Sequence, residues 1–196
     1  QTTALASRLT QLVGDGKQQL IYKTVLRQSQ ELKAQIQSHL NQLRRDRALP
    51  LIEDCQWIAA ATAFATPVPS LDFLATAAIN TQMIVDLGQV YKLPISGDQA
   101  KAIASIMVEY MVKLGLVELA SQAIAPLLKS NLLTFAAGGL IQGLSAAYLT
   151  RIAGLSLVTY FEQCHDAMDI SLTEKSSVER LAQTLQLVFQ QNQRLD

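Results

Sequence analysis

Apolar residues line one face of a long polar segment near the start of the chain. Between Lys17 and Arg47 they recur at intervals of three, four or seven residues, at Ile21, Val25, Leu32, Ile36, Leu40 and Leu43. This spacing is typical of one face of an amphipathic α-helix. At 1.5 Å per residue the helix would be roughly 45 Å long. The pattern therefore predicts a long N-terminal helical arm.

Glycine and proline predict where this arm begins and ends. Gly14 and Gly16 should separate it from a short helix near Leu5 to Val13. The arm should end at the charged residues 44–47, with Pro50 as the interruption that follows. Proline has no backbone N–H and disfavours a helix interior. We therefore expect the first structural division of the chain after residue 48.

Long uncharged stretches follow this division. No charged residue occurs from Cys55 to Leu71 or from Ser130 to Thr150. Near the end of the first stretch, Ser70 is a predicted helix N-cap, and its helix should run to about Tyr91. Pro94 should prevent that helix from continuing. These features predict a core of several apolar helices.

Two serine residues further along the chain are predicted to begin helices. Ser96 is followed by Gln99, and Ser176 by Glu179, in the spacing of a capping box. The last helix carries apolar residues on one side, at Val178, Leu181, Leu185, Val188 and Phe189. Its other positions are rich in glutamine, as in the arm. The two ends of the chain therefore resemble each other and differ from the middle.

This pattern predicts an all-α fold, a helical bundle in which two amphipathic helices flank a hydrophobic helical core. The predicted divisions are an N-terminal arm over residues 1–48, a core over residues 49–170 and a C-terminal helix over residues 171–196. We expect the C-terminal helix to pack with the arm as an antiparallel stalk, because each has an apolar stripe that the other can cover.

Charge and cysteine content exclude some classes of function. Sixteen basic and sixteen acidic residues cancel, whereas proteins that bind nucleic acids usually carry a basic excess that neutralises phosphates. Cys55 and Cys164 lie too far apart to match a metal-binding motif. We therefore predict no nucleic-acid partner, no metal and no cofactor.

The patterns that resemble catalytic motifs are incomplete. Gly14-Asp15-Gly16-Lys17 is not a phosphate-binding loop, because Gln11 and Gln18 replace its first glycine and its final hydroxyl residue. Cys164-His165-Asp166 has the residue types of a thiol triad, but consecutive helical side chains diverge by about 100°. We predict that the chain is not an enzyme. An unfamiliar active site would depend on Glu162, His165 and Asp166.

Five positions are candidates for a functional or packing role. Gly139 and Gly143 are spaced one helical turn apart, which lets two helix backbones approach closely. Pro67 and Pro69 form a turn just before Asp72, the only charged residue between Cys55 and Val85. Asp72 has either a functional role or the simpler role of a carboxylate that stabilises a helix N-terminus. The sequence leaves both roles open.

The uncharged stretch from Ser130 to Thr150 raises the question of a membrane. Its 21 residues are long enough to span a bilayer. It also contains serine, asparagine, threonine and glutamine, and much of the remainder is alanine and glycine. A helix that is apolar all round is equally typical of the centre of an α-helical domain. We favour a core that does not span the membrane, although contact with a membrane surface stays open.

Several segments between residues 59 and 161 resemble a known family. They are Thr66-Pro67-Val68-Pro69-Ser70-Leu71-Asp72, Met83-Ile84-Val85-Asp86-Leu87-Gly88, Tyr91-Lys92-Leu93-Pro94, Gly138-Gly139-Leu140-Ile141-Gln142-Gly143, Ala146-Ala147-Tyr148-Leu149-Thr150, Ile152-Ala153-Gly154 and Tyr160-Phe161. This set resembles the YcjF-like helical domain, a bacterial family of unknown function often found behind an Era-like or dynamin-like GTPase domain. The resemblance covers about half of the chain and leaves out both flanking arms.

The resemblance implies a GTPase partner, in cis or in trans, and supplies no catalytic residues. The chain begins at Gln1 without an initiator methionine, so we expect a segment of a longer protein in which a G domain precedes it. The predicted function is a non-catalytic module that couples nucleotide state to a partner or membrane surface. The alternative is an integral membrane structural protein with residues 130–150 spanning the bilayer. We expect a location in the cytoplasm or at the inner face of a membrane, and self-association stays open.

Overall fold

The protein is an all-α helical bundle. A computed structural model describes residues 2–15, 17–65, 69–115, 137–163 and 175–193. These residues form six helices, with no strand in the described ranges: α1 (Thr2–Asp15), α2 (Lys17–Ala65), α3 (Pro69–Tyr91), α4 (Gly97–Lys113), α5 (Ala137–Gln163) and α6 (Lys175–Gln193). The predicted fold class is confirmed.

The chain divides into two compact units, residues 1–43 and residues 44–196. The first unit contains α1 and the beginning of α2. The predicted apolar stripe of the arm is exposed along its whole length, with Ile21, Val25, Leu32, Ile36, Leu40 and Leu43 between 41 and 59% accessible. An apolar stripe of this length exposed to solvent is typical of a surface that binds a partner.

The prediction that the long helix of the arm ends at residues 44–47, with Pro50 as an interruption, is wrong. Helix α2 runs through Pro50 without interruption and ends at Ala65. A proline inside a helix costs about 3 kcal/mol, because it removes one hydrogen bond and its ring crowds the preceding turn. Pro50 itself is exposed, while Ala48 and Ile52 on either side are fully buried in the core. We infer that burial of these neighbours offsets the cost.

Helix α3 ends at Tyr91 in a tight turn just before Pro94, as the sequence predicts. The N–H of Leu93 donates to the carbonyl of Gly88 at 2.8 Å, and the N–H of Lys92 donates to the carbonyl of Gln89 at 3.1 Å. This pair of bonds is a Schellman motif, which requires a left-handed residue just after the helix. Lys92 takes that position with φ 62°. Gly88 makes room for the turn, because a Cβ there would lie 2.9 Å from Ile95 Cδ1.

Helix α4 begins with the predicted capping box, which is confirmed. The backbone N–H of Gln99 donates to Ser96 Oγ at 3.2 Å, and the backbone N–H of Ser96 donates to Gln99 Oε1 at 2.9 Å. Gly115 has a positive φ just beyond the other end of the helix. The N–H of Gly115 donates to the carbonyl of Val112 at 3.0 Å, so a helix cap is formed at each end of α4.

One hydrophobic core joins α3, α4, α5, α6 and the second half of α2. Ile84, Ile103, Leu157 and Leu185 are among its fully buried members. Of the stripe predicted for the last helix, four residues are buried, namely Leu181, Leu185, Val188 and Phe189. They pack in the unit of residues 44–196, where the ring of Phe189 contacts that of Tyr148. The pairing of this helix with the arm stays a prediction.

Candidate functional site

Helix α5 lies against the second half of α2 through glycine residues. A Cβ on Gly143 would lie 2.9 Å from the carbonyl oxygen of Ala60, and a Cβ on Gly154 would lie 2.7 Å from Ile52 Cγ1. Because the later position on α5 meets the earlier position on α2, the two helices are antiparallel. Glycine permits this distance of approach, which a larger residue would prevent.

A polar contact marks the level at which both helices lose their charges. Arg151 Nη1 donates to Gln56 Oε1 at 3.4 Å. Asp54 is the last charged residue of α2, and Arg151 is the first charged residue of α5. Beyond this level neither helix carries a charge. We call residues 55–65 of α2 and 142–150 of α5 the uncharged end.

Large apolar side chains are exposed at the uncharged end. Trp57 is 57% accessible, and Ile58 and Phe64 are each 53% accessible. Together with the exposed Ala61 and Ala65 they form one side of α2, which we call the apolar face. The buried residues Ala59 and Ala63 lie on the opposite side. The last turns of α2 therefore carry no charge on any side, while only one side is covered.

A different arrangement occupies the opposite end of this unit. The hydroxyl of Tyr91 donates to Glu162 Oε1 at 3.2 Å, and the guanidinium of Arg44 lies 5.7 Å from the centre of the Tyr91 ring. The ring of Phe161 lies 5.8 Å from that of Tyr91. We call Arg44, Tyr91 and Glu162 the charged end, where α2, α3 and α5 meet.

The reactive groups near these two ends are poorly activated. Burial raises the pKa of Tyr91 well above its ordinary value, and the carboxylate of Glu162 raises it further against the opposing effect of Arg45 and Arg44. Burial also raises the pKa of Cys55, with the carboxylates of Asp86 and Asp54 adding to the effect. Both groups therefore stay protonated at neutral pH. Since a thiolate is the reactive form of cysteine, Cys55 is a poor nucleophile.

No cluster of three or more histidine, cysteine, aspartate or glutamate side chains that could hold a metal occurs in the described parts of the chain. The sequence segment Cys164-His165-Asp166 lies outside those parts. An active site built on Glu162, His165 and Asp166 therefore stays a hypothesis.

Residues 27–194 match the model of a protein family described as a domain of unknown function, DUF697. The chain belongs to this family. No curated protein and no solved structure matches the chain. The family match is wider than the resemblance between residues 59 and 161, because it takes in α6 and part of the arm.

The five predicted positions are distributed over different parts of this DUF697 domain. Gly143 lies in the contact between α5 and α2. Gly139 lies near the start of α5, one turn before Gly143. Pro69 is the first residue of α3, and Asp72 lies in its first turn; the side chains of both lie outside the described part, as does Pro67. The structure thus describes surroundings for Gly143 alone.

The sequence carried no signal for the charged end of the DUF697 domain. Tyr91 and Glu162 are 71 positions apart, and neither belongs to a recognisable motif. The apolar face had a partial signal, because Trp57 and Phe64 lie within an uncharged stretch. Their exposure depends on which side of α2 faces α5. That orientation is set by the long-range contacts that Gly143 and Gly154 of α5 make with α2.

Proposed function

We propose that the chain is a non-catalytic helical module that associates with a GTPase and couples its nucleotide state to a partner or to a membrane surface. The observation that carries the proposal is the exposed apolar stripe of the arm. Folded proteins seldom leave such a stripe in water unless it binds something. The resemblance to domains found behind GTPases supplies the class of partner.

Helix α2 supports a coupling role because it contributes to both units. Its first part carries the exposed stripe, and its second part contributes Ala48 and Ile52 to the core. The stripe and these core residues therefore belong to one continuous helix, with no separate linker between them.

The test is a titration of the chain with the Era-like or dynamin-like GTPase of the same organism, loaded either with GDP or with a non-hydrolysable GTP analogue. Calorimetry should give affinities that differ by at least about fivefold between the two states, as expected for a coupled site. Leu32→Glu and Ile36→Glu should abolish binding, whereas Gln30→Glu, a change at an exposed position away from the stripe, should preserve it.

Two results would contradict the proposal. Failure to bind the GTPase in either state would remove the association. Equal affinity for the two nucleotide states would remove the coupling, because a ligand with the same affinity for both states shifts nothing.

One observation favours the alternative, an integral membrane protein. Among the described residues, one helix segment, Gln142–Gln163, is long and apolar enough to cross a membrane, with a mean hydropathy of 1.2. Such segments also occur as core helices of soluble proteins. More than half of this one is buried within the protein, and Arg151 lies near its middle. Extraction of the native protein only by detergent would support the alternative, and release by buffer alone would contradict it.

A further inference from the structure

The apolar face of α2 has no covering partner in the described parts of the chain. It consists of Trp57, Ile58, Ala61, Phe64 and Ala65. An exposed apolar face of this kind normally binds either a protein partner or lipid. Helix α5 covers only the opposite side, through the contact of Gly143 with Ala60. The exposed side therefore fits one of these two environments.

The chemistry of this face favours lipid over a protein partner. Protein interfaces carry about one hydrogen bond per 100–200 Å² and a polar rim. Among the five side chains of the apolar face, the indole N–H of Trp57 is the only hydrogen-bonding group. If that N–H stays at the level of the headgroups, the rest of the face loses no hydrogen bond on entering hydrocarbon, whereas the polar groups of a protein partner would find no other partners on it.

Charge is arranged along α2 as an obliquely inserted helix requires. Glu53 and Asp54 are exposed one turn before Trp57 and must remain in water. Trp57 comes next, at the position where tryptophan is favoured at a membrane–water interface. Phe64 lies seven residues further, roughly 10 Å along the helix. The charged residues of α2 thus end at Asp54, and the exposed large side chains beyond Trp57 are apolar.

Arg151 supplies a cation at the same boundary. It is exposed, and its hydrogen bond to Gln56 places it at the level of α2 where Trp57 follows. Long basic side chains keep their charged group at the headgroup level while their stems lie along apolar surface. Leu144 on α5, which is 36% accessible, lies beyond this boundary on the uncharged side.

We propose that the uncharged end inserts shallowly into one leaflet of a lipid bilayer. Trp57 and Arg151 lie at the headgroups, and Phe64 lies among the acyl chains. The depth expected for such an interfacial helix is about 5–10 Å. This proposal rests on the proposed function, in which the chain acts at a membrane surface, and it assigns that contact to a defined part of the protein.

The charged residues next to the apolar face predict which lipids this surface should bind. Glu53 and Asp54 next to the apolar face repel anionic headgroups, which offsets the attraction of Arg151. Insertion should therefore depend on apolar contact and proceed on phosphatidylcholine vesicles without anionic lipid. The basic residues of the arm, among them Lys17, Lys23, Arg27 and Lys33, would instead produce binding that needs anionic lipid and fails in high salt.

The test is flotation of the purified chain with phosphatidylcholine vesicles, with and without phosphatidylglycerol, in low salt and in about 1 M salt, where the Debye length is about 3 Å. We expect binding under all four conditions. Ile58→Glu and Phe64→Glu should each lower the partition coefficient roughly tenfold or more, because a charge replaces apolar contact. Val112→Glu is the matched control, an equally exposed apolar position on α4 beside Lys113, and should leave partitioning unchanged.

Circular dichroism and thermal unfolding establish that each variant is folded, as expected for substitutions at exposed positions. Binding that requires phosphatidylglycerol and disappears in high salt would overturn the proposal in favour of the arm. Equal loss of binding in Val112→Glu would also overturn it. So would a concentration-dependent dimer that Ile58→Glu dissociates in sedimentation experiments, because the face would then bind a second copy. None of these results alters the GTPase titration, which contains no lipid.

Discussion

The two ends of the bundle formed by residues 44–196 are stabilised in different ways. At the charged end, Tyr91 is held by a hydrogen bond to Glu162, by the guanidinium of Arg44 and by the ring of Phe161. At the uncharged end, the helices approach through Gly143, and the large residues Trp57 and Phe64 face outwards. One end has its polar groups paired internally, and the other leaves its apolar groups exposed.

This difference separates a structural role from a binding role. Buried polar groups with several partners fix the geometry of a fold. Exposed apolar side chains contribute little to the stability of the isolated protein, since folding leaves them in contact with water. We therefore expect substitutions at the charged end to affect stability and substitutions at the apolar face to affect binding.

The largest contrast in stability should come from two phenylalanine residues. Phe161 is 2% accessible, whereas Phe64 is 53% accessible. Phe161→Ala should lower the free energy of unfolding by about 3–5 kcal/mol because it leaves a cavity. Phe64→Ala should lower it by less than about 1 kcal/mol. Denaturant titration of both variants measures the contrast, and similar losses at the two positions would contradict it.

The glycine contact should give the next largest effect. Gly154→Ala places a Cβ within 3.0 Å of three atoms of Ile52, and Ile52 is fully buried and β-branched, so it cannot easily move. Overpacking of this kind costs about 1–3 kcal/mol, reduced by the greater helix propensity of alanine.

A double-mutant cycle separates these contributions. In the Ile52→Ala background the added Cβ has space, so Gly154→Ala should be neutral or stabilising there. Additive effects of the two substitutions on unfolding free energy would show that the helices do not approach at this point.

The hydrogen bond of Tyr91 should have a smaller effect that depends on pH. Tyr91→Phe should cost about 1 kcal/mol at neutral pH, the usual contribution of one such bond. Because the pKa of Tyr91 is raised in the folded protein, its contribution is complete below about pH 10, the value for an unfolded tyrosine, and is lost as the pH rises towards the folded value.

Unfolding free energies at a series of alkaline pH values test this dependence. The wild type should lose stability above about pH 10 more steeply than Tyr91→Phe. Parallel curves for the two proteins would contradict the placement of Tyr91 beside Glu162.

The smallest effect should be a gain. Lys92 has a left-handed backbone conformation in the turn after α3, which costs a non-glycine residue on the order of 1 kcal/mol. Lys92→Gly should therefore raise the free energy of unfolding by up to about 1 kcal/mol, whereas Lys92→Ala should leave it nearly unchanged. Thermal unfolding compares the two variants, and a loss of stability in Lys92→Gly would argue against the strained turn.

Local patterns predicted much of the fold. The capping box of Ser96 and Gln99 and the stripe from Leu181 to Phe189 depend on residues close together in sequence, and both are confirmed. The end of the long helix was wrongly predicted. The free-energy cost of Pro50 inside the helix is local, but it is outweighed by burial of Ile52 in a core assembled from distant segments.

The two ends of the bundle depend on long-range contacts and were largely unpredictable. Composition marked the uncharged stretches, but the level shared by Gln56 and Arg151 required the pairing of α2 with α5. The spacing of Gly143 from Gly139 predicts a packing role for Gly143. Gly154 has no such spacing, yet its contact with α2 is closer than that of Gly143. The partner of Tyr91 likewise follows only from the folded arrangement.

Fluorescence of Trp57 tests most directly the central claim that the uncharged end contacts lipid. Trp57 is the only tryptophan of the chain, so its emission reports on this surface alone. On titration with phosphatidylcholine vesicles its emission maximum should shift to shorter wavelength, and lipids brominated near the headgroup should quench it more than lipids brominated deep in the acyl chain. An emission maximum that stays constant at saturating lipid, with no quenching by either brominated lipid, would contradict the account.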